Sequence, residues 1–259
     1  MKTKLIQKDF NSITDLVKYC ERGIVNRKIF NQQSSISGDY SFTMTHTYDE
    51  AQKLLLTGWD DGAKQLTTSL NIANAKMQNR EVKRAIHDIV GFQASVPRYL
   101  QGIPTNMVNQ KNVKQKQKIV TLVKSIAYSS RITANEILDD SVKFLQIVQA
   151  VEKKGIRVNV YVAWHSAEGR EEVLYRTKIK SSGERLNISK MSFPLLHPSF
   201  LRRIMFKTLE SDLDIQSTSW AGRYGMPQHD TQRLLKKDEY LIPVMISNKD
   251  ALNIVESAK

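Results

Sequence analysis

The chain of 259 residues has a single cysteine, Cys20, so no disulfide forms within it and an oxidising compartment is not indicated. Cys20 falls in the helical spacing Ile13, Leu16, Val17, Cys20 and reads as a small packed apolar side chain. No stretch approaches the roughly 18 uncharged apolar residues that a membrane-spanning helix needs. The basic start, Met1-Lys-Thr-Lys-Leu-Ile-Gln-Lys8, is not followed by an apolar run, so a secretory leader is not expected. These absences point to the cytosol and to no membrane partner.

Acidic residues are also scarce. Lysine and arginine number 39 against 26 aspartate and glutamate, a formal charge of +13. An excess of this size bears on partners and solubility, not on fold. DNA or RNA is the partner it favours; another protein, or a surface that only solubilises, is the alternative.

Several catalytic signatures are missing. There is no G-x-x-x-x-G-K or G-x-G-x-x-G loop for phosphates, and no G-x-S-x-G nucleophile turn. The five histidines, His46, His87, His165, His197 and His229, never pair one helical turn apart as metal ligands. Asp212-Leu-Asp214 is the one carboxylate pair in extended context. Such a pair can hold Mg²⁺, but without supporting residues a nuclease is the weakest reading. No catalytic residue, cofactor or metal is assigned.

Three basic features could bind an anion. One is the linker with Lys111, Lys114, Lys116 and Lys118. The second is Arg202, Arg203 and Lys207, the latter two one helical turn apart and expected opposite the apolar stripe. The third is the loop Ser219–Pro227, where Trp220 and Tyr224 flank Arg223. Aromatics beside arginine suit stacking on unpaired bases; local packing of both rings on the domain is the alternative, as a solvated helix face is for the Arg202 group.

The pattern of elements is that of an α/β protein. Residues 1–38 read as an N-terminal helical arm, 39–118 as a mixed helical and irregular part, and 119–259 as an α/β domain. Tyr40–His46 alternates as a strand would, and Thr47-Tyr-Asp-Glu50 reads as a capping box. Glu81–Asp88 is expected as a short helix and 91–118 as irregular. Ile119–Ala127 is an expected strand, and Thr133-Ala-Asn-Glu136 caps a helix that Gly155 closes. Arg157–Trp164 follows as a strand with Val158, Val160, Val162 and Trp164 on one face, which implies a parallel pair with a right-handed crossover. Glu172–Lys180 and Leu186–Lys190 are further expected strands. A helix runs from Pro198 to Glu210, with Leu201, Ile204, Met205 and Leu209 inward. Tyr240–Ile246 is an expected strand, where Pro243 argues for an edge position or a local bulge. The expected fold is a mixed, largely parallel sheet with helices on both faces.

Several short motifs resemble a domain family of unknown function found mainly in bacteriophage and prophage genomes. They are Tyr48-Asp-Glu-Ala51, Gly58-Trp59-x-x-Gly62, Val90-Gly91, Val96-Pro-Arg-Tyr-Leu-x-Gly-x-Pro104 with Met107, Gly155-x-Arg-Val158 and His197-Pro-x-x-x-Arg-Arg203. The resemblance spans about residues 40–210 and implies a phage or mobile-element origin without a known activity, and with it a place in the host cytoplasm or the virion and another phage or host protein as the alternative partner. The C-terminal half also resembles a von Willebrand factor A domain. Such domains often bind a divalent cation through D-x-S-x-S; the equivalent Lys124-Ser-Ile-Ala-Tyr-Ser-Ser130 has no aspartate, so no metal is expected there.

Overall fold

A computed structural model describes residues 3–29, 34–37, 39–75, 86–109, 118–129, 131–222 and 224–257. The chain divides into two compact units, one of residues 1–74 with 118–259 and one of residues 75–117.

The larger unit is α/β. It begins with strand β1 (Lys4–Phe10), helices α1 (Ile13–Cys20), α2 (Ser34–Ser37), α3 (Tyr40–Thr43), α4 (Tyr48–Thr57) and α5 (Asp60–Ala75). The smaller unit holds β2 (Ile86–Asp88), β3 (Gln93–Ala94), α6 (Val96–Leu100) and β4 (Met107–Asn109). The larger unit resumes with β5 (Ile119–Ser125), α7 (Ala134–Lys153), β6 (Arg157–Glu168), β7 (Glu171–Lys180) and α8 (Ile188–Leu196). A π-helical turn (Phe200–Met205) leads into α9 (Phe206–Glu210), and a 3-10 turn at Thr218–Gly222 precedes β8 (Met226–Pro227). A second 3-10 turn at Thr231–Leu234, β9 (Glu239–Ile242) and α10 (Asn248–Ser257) complete it.

The central sheet runs β1-β7-β6-β5-β9, with β8 paired to the end of β6. Pairs β1–β7, β5–β6 and β5–β9 are parallel, while β6–β7 and β6–β8 are antiparallel. The sheet is therefore mixed and mostly parallel, flanked by helices. Helix α7 begins at a full capping box, in which Thr133 Oγ1 accepts from Glu136 N–H and Glu136 accepts from Thr133 N–H. Its apolar stripe, including Phe144, Leu145, Val148 and Val151, is buried in the main core beside Val158, Val160 and Val162. Strand β9 lies at the sheet edge, where the following Pro243 removes no ladder bond.

Four expectations are corrected. The N-terminal segment is no helical arm: Lys4–Phe10 pairs in parallel with β7, and Ile6 and Phe10 enter the main core. Helix α1 follows only after Ser12, whose side chain caps it. The strand expected over Tyr40–His46 is instead a short helix, Tyr40–Thr43, ended by Met44 in the left-handed region, with Thr43 Oγ1 donating back to Asp39 O and Thr45 Oγ1 bonded to Ser199 Oγ. Leu186–Lys190 is no strand: Asn187 caps α8 by accepting from Lys190 N–H. The capping box at Thr47 is half formed, since Glu50 reaches back to His46 N–H at 2.6 Å, one residue early.

In the smaller unit, β2 and β3 both pair antiparallel with β4. The expected helix at 81–88 is a strand over Ile86–Asp88, and 81–85 lie outside the described residues. Arg98 fixes the turn after α6 by donating to Thr105 O at 3.0 Å and Thr105 Oγ1 at 3.1 Å. Gly62 of the larger unit has its own steric reason: a Cβ there would lie 2.1 Å from the Trp59 ring.

Candidate functional site

The β5–α7–β6 crossover makes two parallel strands end at the same edge of the sheet, and β9 ends beside them. Open α/β sheets bind ligands outside such carboxyl ends. A cleft of about 640 Å³ lies there. Ala127, Tyr128 and Ser129 come from the end of β5, Trp164 and Ser166 from β6, and Val244 from the turn after β9. Leu201, Arg202 and Phe206 form one wall, and Tyr224 to Pro227 another; Phe42 and His229 also reach it. Its size is ordinary for a small-molecule site, roughly 300–1,000 Å³.

The loop over the cleft depends on Gly225, with φ of +74°. A Cβ there would sit 2.5 Å from Ser166 Oγ and 2.6 Å from the Trp220 ring, so only glycine lets the chain pass. Ser166 Oγ donates to Tyr224 O at 3.0 Å and holds the loop down.

Beneath the cleft Asp140 ties three segments. Its Oδ2 accepts from Lys124 Nζ at 2.6 Å and from Tyr128 OH at 2.9 Å, and Oδ1 accepts from Ile246 N–H at 3.2 Å. Lys124 also donates to Pro243 O at 2.7 Å. Burial pulls the Lys124 pKa down while Asp140 opposes it, and burial drives the Tyr128 hydroxyl well above its ordinary value. These groups are bonded to one another and serve as a fixed floor.

The proposed anion-binding residues separate sharply. Arg203 is fully buried, not on an outward face, which corrects the helical-wheel expectation. The π-turn over 200–205 adds a residue to the helical repeat and rotates it inward. Its guanidinium donates to Thr45 Oγ1 (2.7 Å), Ser35 O (2.9 Å), Ile36 O (3.0 Å) and Thr45 O (2.8 Å), clamping the 35–46 segment. Arg203 is unavailable to an external phosphate. Arg202 remains half-exposed at the cleft wall: its guanidinium lies 4.1 Å above the Phe42 ring and donates to Phe42 O. Burial lowers its pKa, and no carboxylate among the described residues offsets that effect. Lys207 is half-buried and Lys118 is exposed just before β5.

The aromatic loop adopts the packing alternative. Trp220 is buried, and its indole N–H donates to Glu171 Oε2 at 3.2 Å. Tyr224 stacks on Phe206 with centroids 3.8 Å apart and donates to Glu210 Oε1 at 2.5 Å. Neither offers two free ring faces to bases. Arg223, Lys111, Lys114 and Lys116 lie outside the described residues. The sequence reading missed the cleft, although the parallel pair it inferred already brings the strand ends at 125–129 and 164–166 to one edge of the sheet.

Two acidic groups could hold a cation in principle. Asp212 and Asp214 both bind Lys8 Nζ, at 3.2 Å and 2.6 Å, and Asp212 also accepts from Tyr175 OH. His165, Glu172 and Asp230 converge within 4.8 Å. Arg233 already pairs with both of those carboxylates, and His165 Nδ1 lies 2.8 Å from Thr231 Oγ1. A divalent ion would have to displace the guanidinium, so the group works as a latch for the 3-10 turn at 231–234.

The architecture is that of an α/β protein with a cleft at the carboxyl edge of its sheet. The chain belongs to the DUF7192 family, described as a domain of unknown function, whose model matches residues 2–258. No curated protein and no solved structure matches it.

Proposed function

We propose that this is a phage-encoded, non-enzymatic protein of the host cytoplasm or the virion that associates with DNA or RNA mainly through phosphate contacts. The carrying observation is where its charge lies. Among the described residues the buried ionic side chains are richer in acid: Asp140, Glu171, Glu172, Glu210, Asp212 and Glu239 against Lys124, Arg176, Lys180 and Arg203. Sequestering more carboxylates than cations leaves the exposed ionic side chains of the described residues richer in base. The phage origin rests on the short sequence motifs. The von Willebrand factor A reading of the C-terminal half is supported by the β5–α7–β6 crossover.

Binding to single- and double-stranded DNA and RNA across a salt series tests this reading. Affinity should weaken steeply with salt, because each neutralised phosphate releases counterions. Arg202→Gln with Lys207→Gln should reduce the log–log slope by about 1–2, at roughly 0.7–0.9 per lost phosphate contact. A slope near zero for the parent protein would remove the reading.

A second reading, a protein-binding or assembly role, is favoured by one observation. In the smaller unit Ile89, Val90, Phe92, Val96, Tyr99 and Leu100 are each between 62% and 78% exposed. So many large apolar side chains within one short segment is a feature of interaction surfaces. It becomes the preferred reading if nucleic-acid binding is negligible at physiological salt.

A further inference from the structure

The cleft at the carboxyl edge carries an inference that rests on the nucleic-acid reading and narrows it. We propose that the cleft binds one unstacked nucleotide, with the base among the aromatic walls and a single phosphate on Arg202. Three features determine that class of ligand.

The first is the unbalanced cation. Arg202 is half out of water, is stacked on Phe42, and has no ion pair with a carboxylate among the described residues. Keeping a guanidinium partly desolvated without a counter-charge is unfavourable, and a bound anion removes that cost. The neighbouring Arg203 shows the contrast, since its N–H groups are already directed to carbonyls and hydroxyls of the 35–46 segment.

The second is the wall chemistry. Phe42, Trp164, Phe206 and Tyr224 line the cleft together with Leu201 and Met226. A flat heteroaromatic ring gains apolar contact with these walls as it leaves water. Ser129, Tyr128 and His229 add polar groups at the rim.

The third is the limit on charge. Among the described residues one arginine, Arg202, faces the cleft, and the chain has no glycine-rich phosphate loop. That set matches a phosphodiester or monophosphate, not a triphosphate, which needs several backbone N–H groups and a lysine. The volume of about 640 Å³ accommodates one nucleotide with room for flanking sugar. On a strand, this corresponds to a terminal or extruded nucleotide.

Titration of the full chain with nucleoside 5′-monophosphates, the matching nucleosides and inorganic phosphate tests this, read by calorimetry. Monophosphates should bind better than either fragment. Arg202→Gln should weaken monophosphate binding at least tenfold while changing nucleoside binding by less than about threefold, because only the charged contact is lost. Ser129→Trp, at an exposed rim position, should block both ligands with an unchanged thermal midpoint. Equal binding of inorganic phosphate and monophosphates, monophosphate binding untouched by both variants, or no monophosphate binding would overturn the proposal. Salt-dependent binding of long nucleic acid that survives Ser129→Trp keeps the wider reading intact, so the two fail separately.

Discussion

The two faces of the central sheet are built on opposite principles. On one face Ile6, Phe10, Leu122, Val160, Val162, Trp164, Val173 and Ile242 merge into the main core with the helices. On the other, only Val123, Ala163 and Leu174 form a small apolar cluster, with Tyr161, Leu234 and Leu235 packed against it. The rest of that second face is ionic. Arg176 donates to Asp9 on β1 through Nε (2.8 Å) and Nη2 (2.9 Å), and to Glu239 on β9 through Nη1 (2.6 Å). Its guanidinium passes 5.1 Å from the Tyr161 ring on β6. One side chain thus links the two edge strands. Burial works against its charge, but the contacts with Glu239 and Asp9 outweigh that and raise its pKa. The apolar face draws its stability from area removed from water. The ionic face gains less, because desolvation offsets much of the attraction, yet it fixes which strand ends meet.

The largest expected effect is on the apolar face. Leu122 is fully buried, so Leu122→Ala should cost about 4 kcal/mol in urea unfolding, with little change between low and high salt. Arg176→Ala should cost about 3 kcal/mol, since Glu239 is left buried without its cation. Arg176→Leu combined with Glu239→Leu should recover most of that loss. If the double variant were no more stable than Arg176→Ala, the ionic face would owe its stability to something other than charge balance, and the contrast between the faces would weaken.

That contrast was half legible in the sequence. The alternation in Arg157–Trp164 placed Val158, Val160, Val162 and Trp164 on one side, and they are buried as expected. Capping at Thr133 and the edge position signalled by Pro243 were equally local, hence readable. The sequence misread β1, because Lys4 and Lys8 share the face of Ile6 and Phe10 and so break the apolar alternation, and its pairing partner lies more than 160 residues away. Arg203 was misjudged for a related reason. A regular 3.6-residue wheel turns it outward, and only the π-turn with the folded 35–46 segment brings it in. The cleft depends on contacts among residues 42, 127–129, 201–206 and 224–229, a combination that no local spacing announces.

The smallest effect, and the one that separates the faces most finely, is in pH. His197 lies in the helical layer over the apolar face, stacked on Phe193 (4.8 Å) with Trp59 edge-on (4.7 Å). Its Nδ1 accepts from Ser199 N–H at 3.2 Å, and burial pulls its pKa down to about 4. Burial also lowers His165 on the ionic face, but there Glu172, 2.6 Å from Nε2, opposes the shift. Both imidazoles take up protons more readily in the unfolded chain, near about 6.5. Stability is therefore complete above that pH and is lost as pH falls toward about 4. Between pH of about 7 and 5 the His197 contribution should fall by about 2 kcal/mol. The carboxylates held low by cations, Glu239 among them, are lost only in a more acidic range. His197→Gln should flatten the stability curve through this window, and His165→Gln should flatten it less. The reverse order would place the pH-sensitive element on the ionic face, where a protonated His165 would find Glu172 waiting and should be the more tolerant of acid.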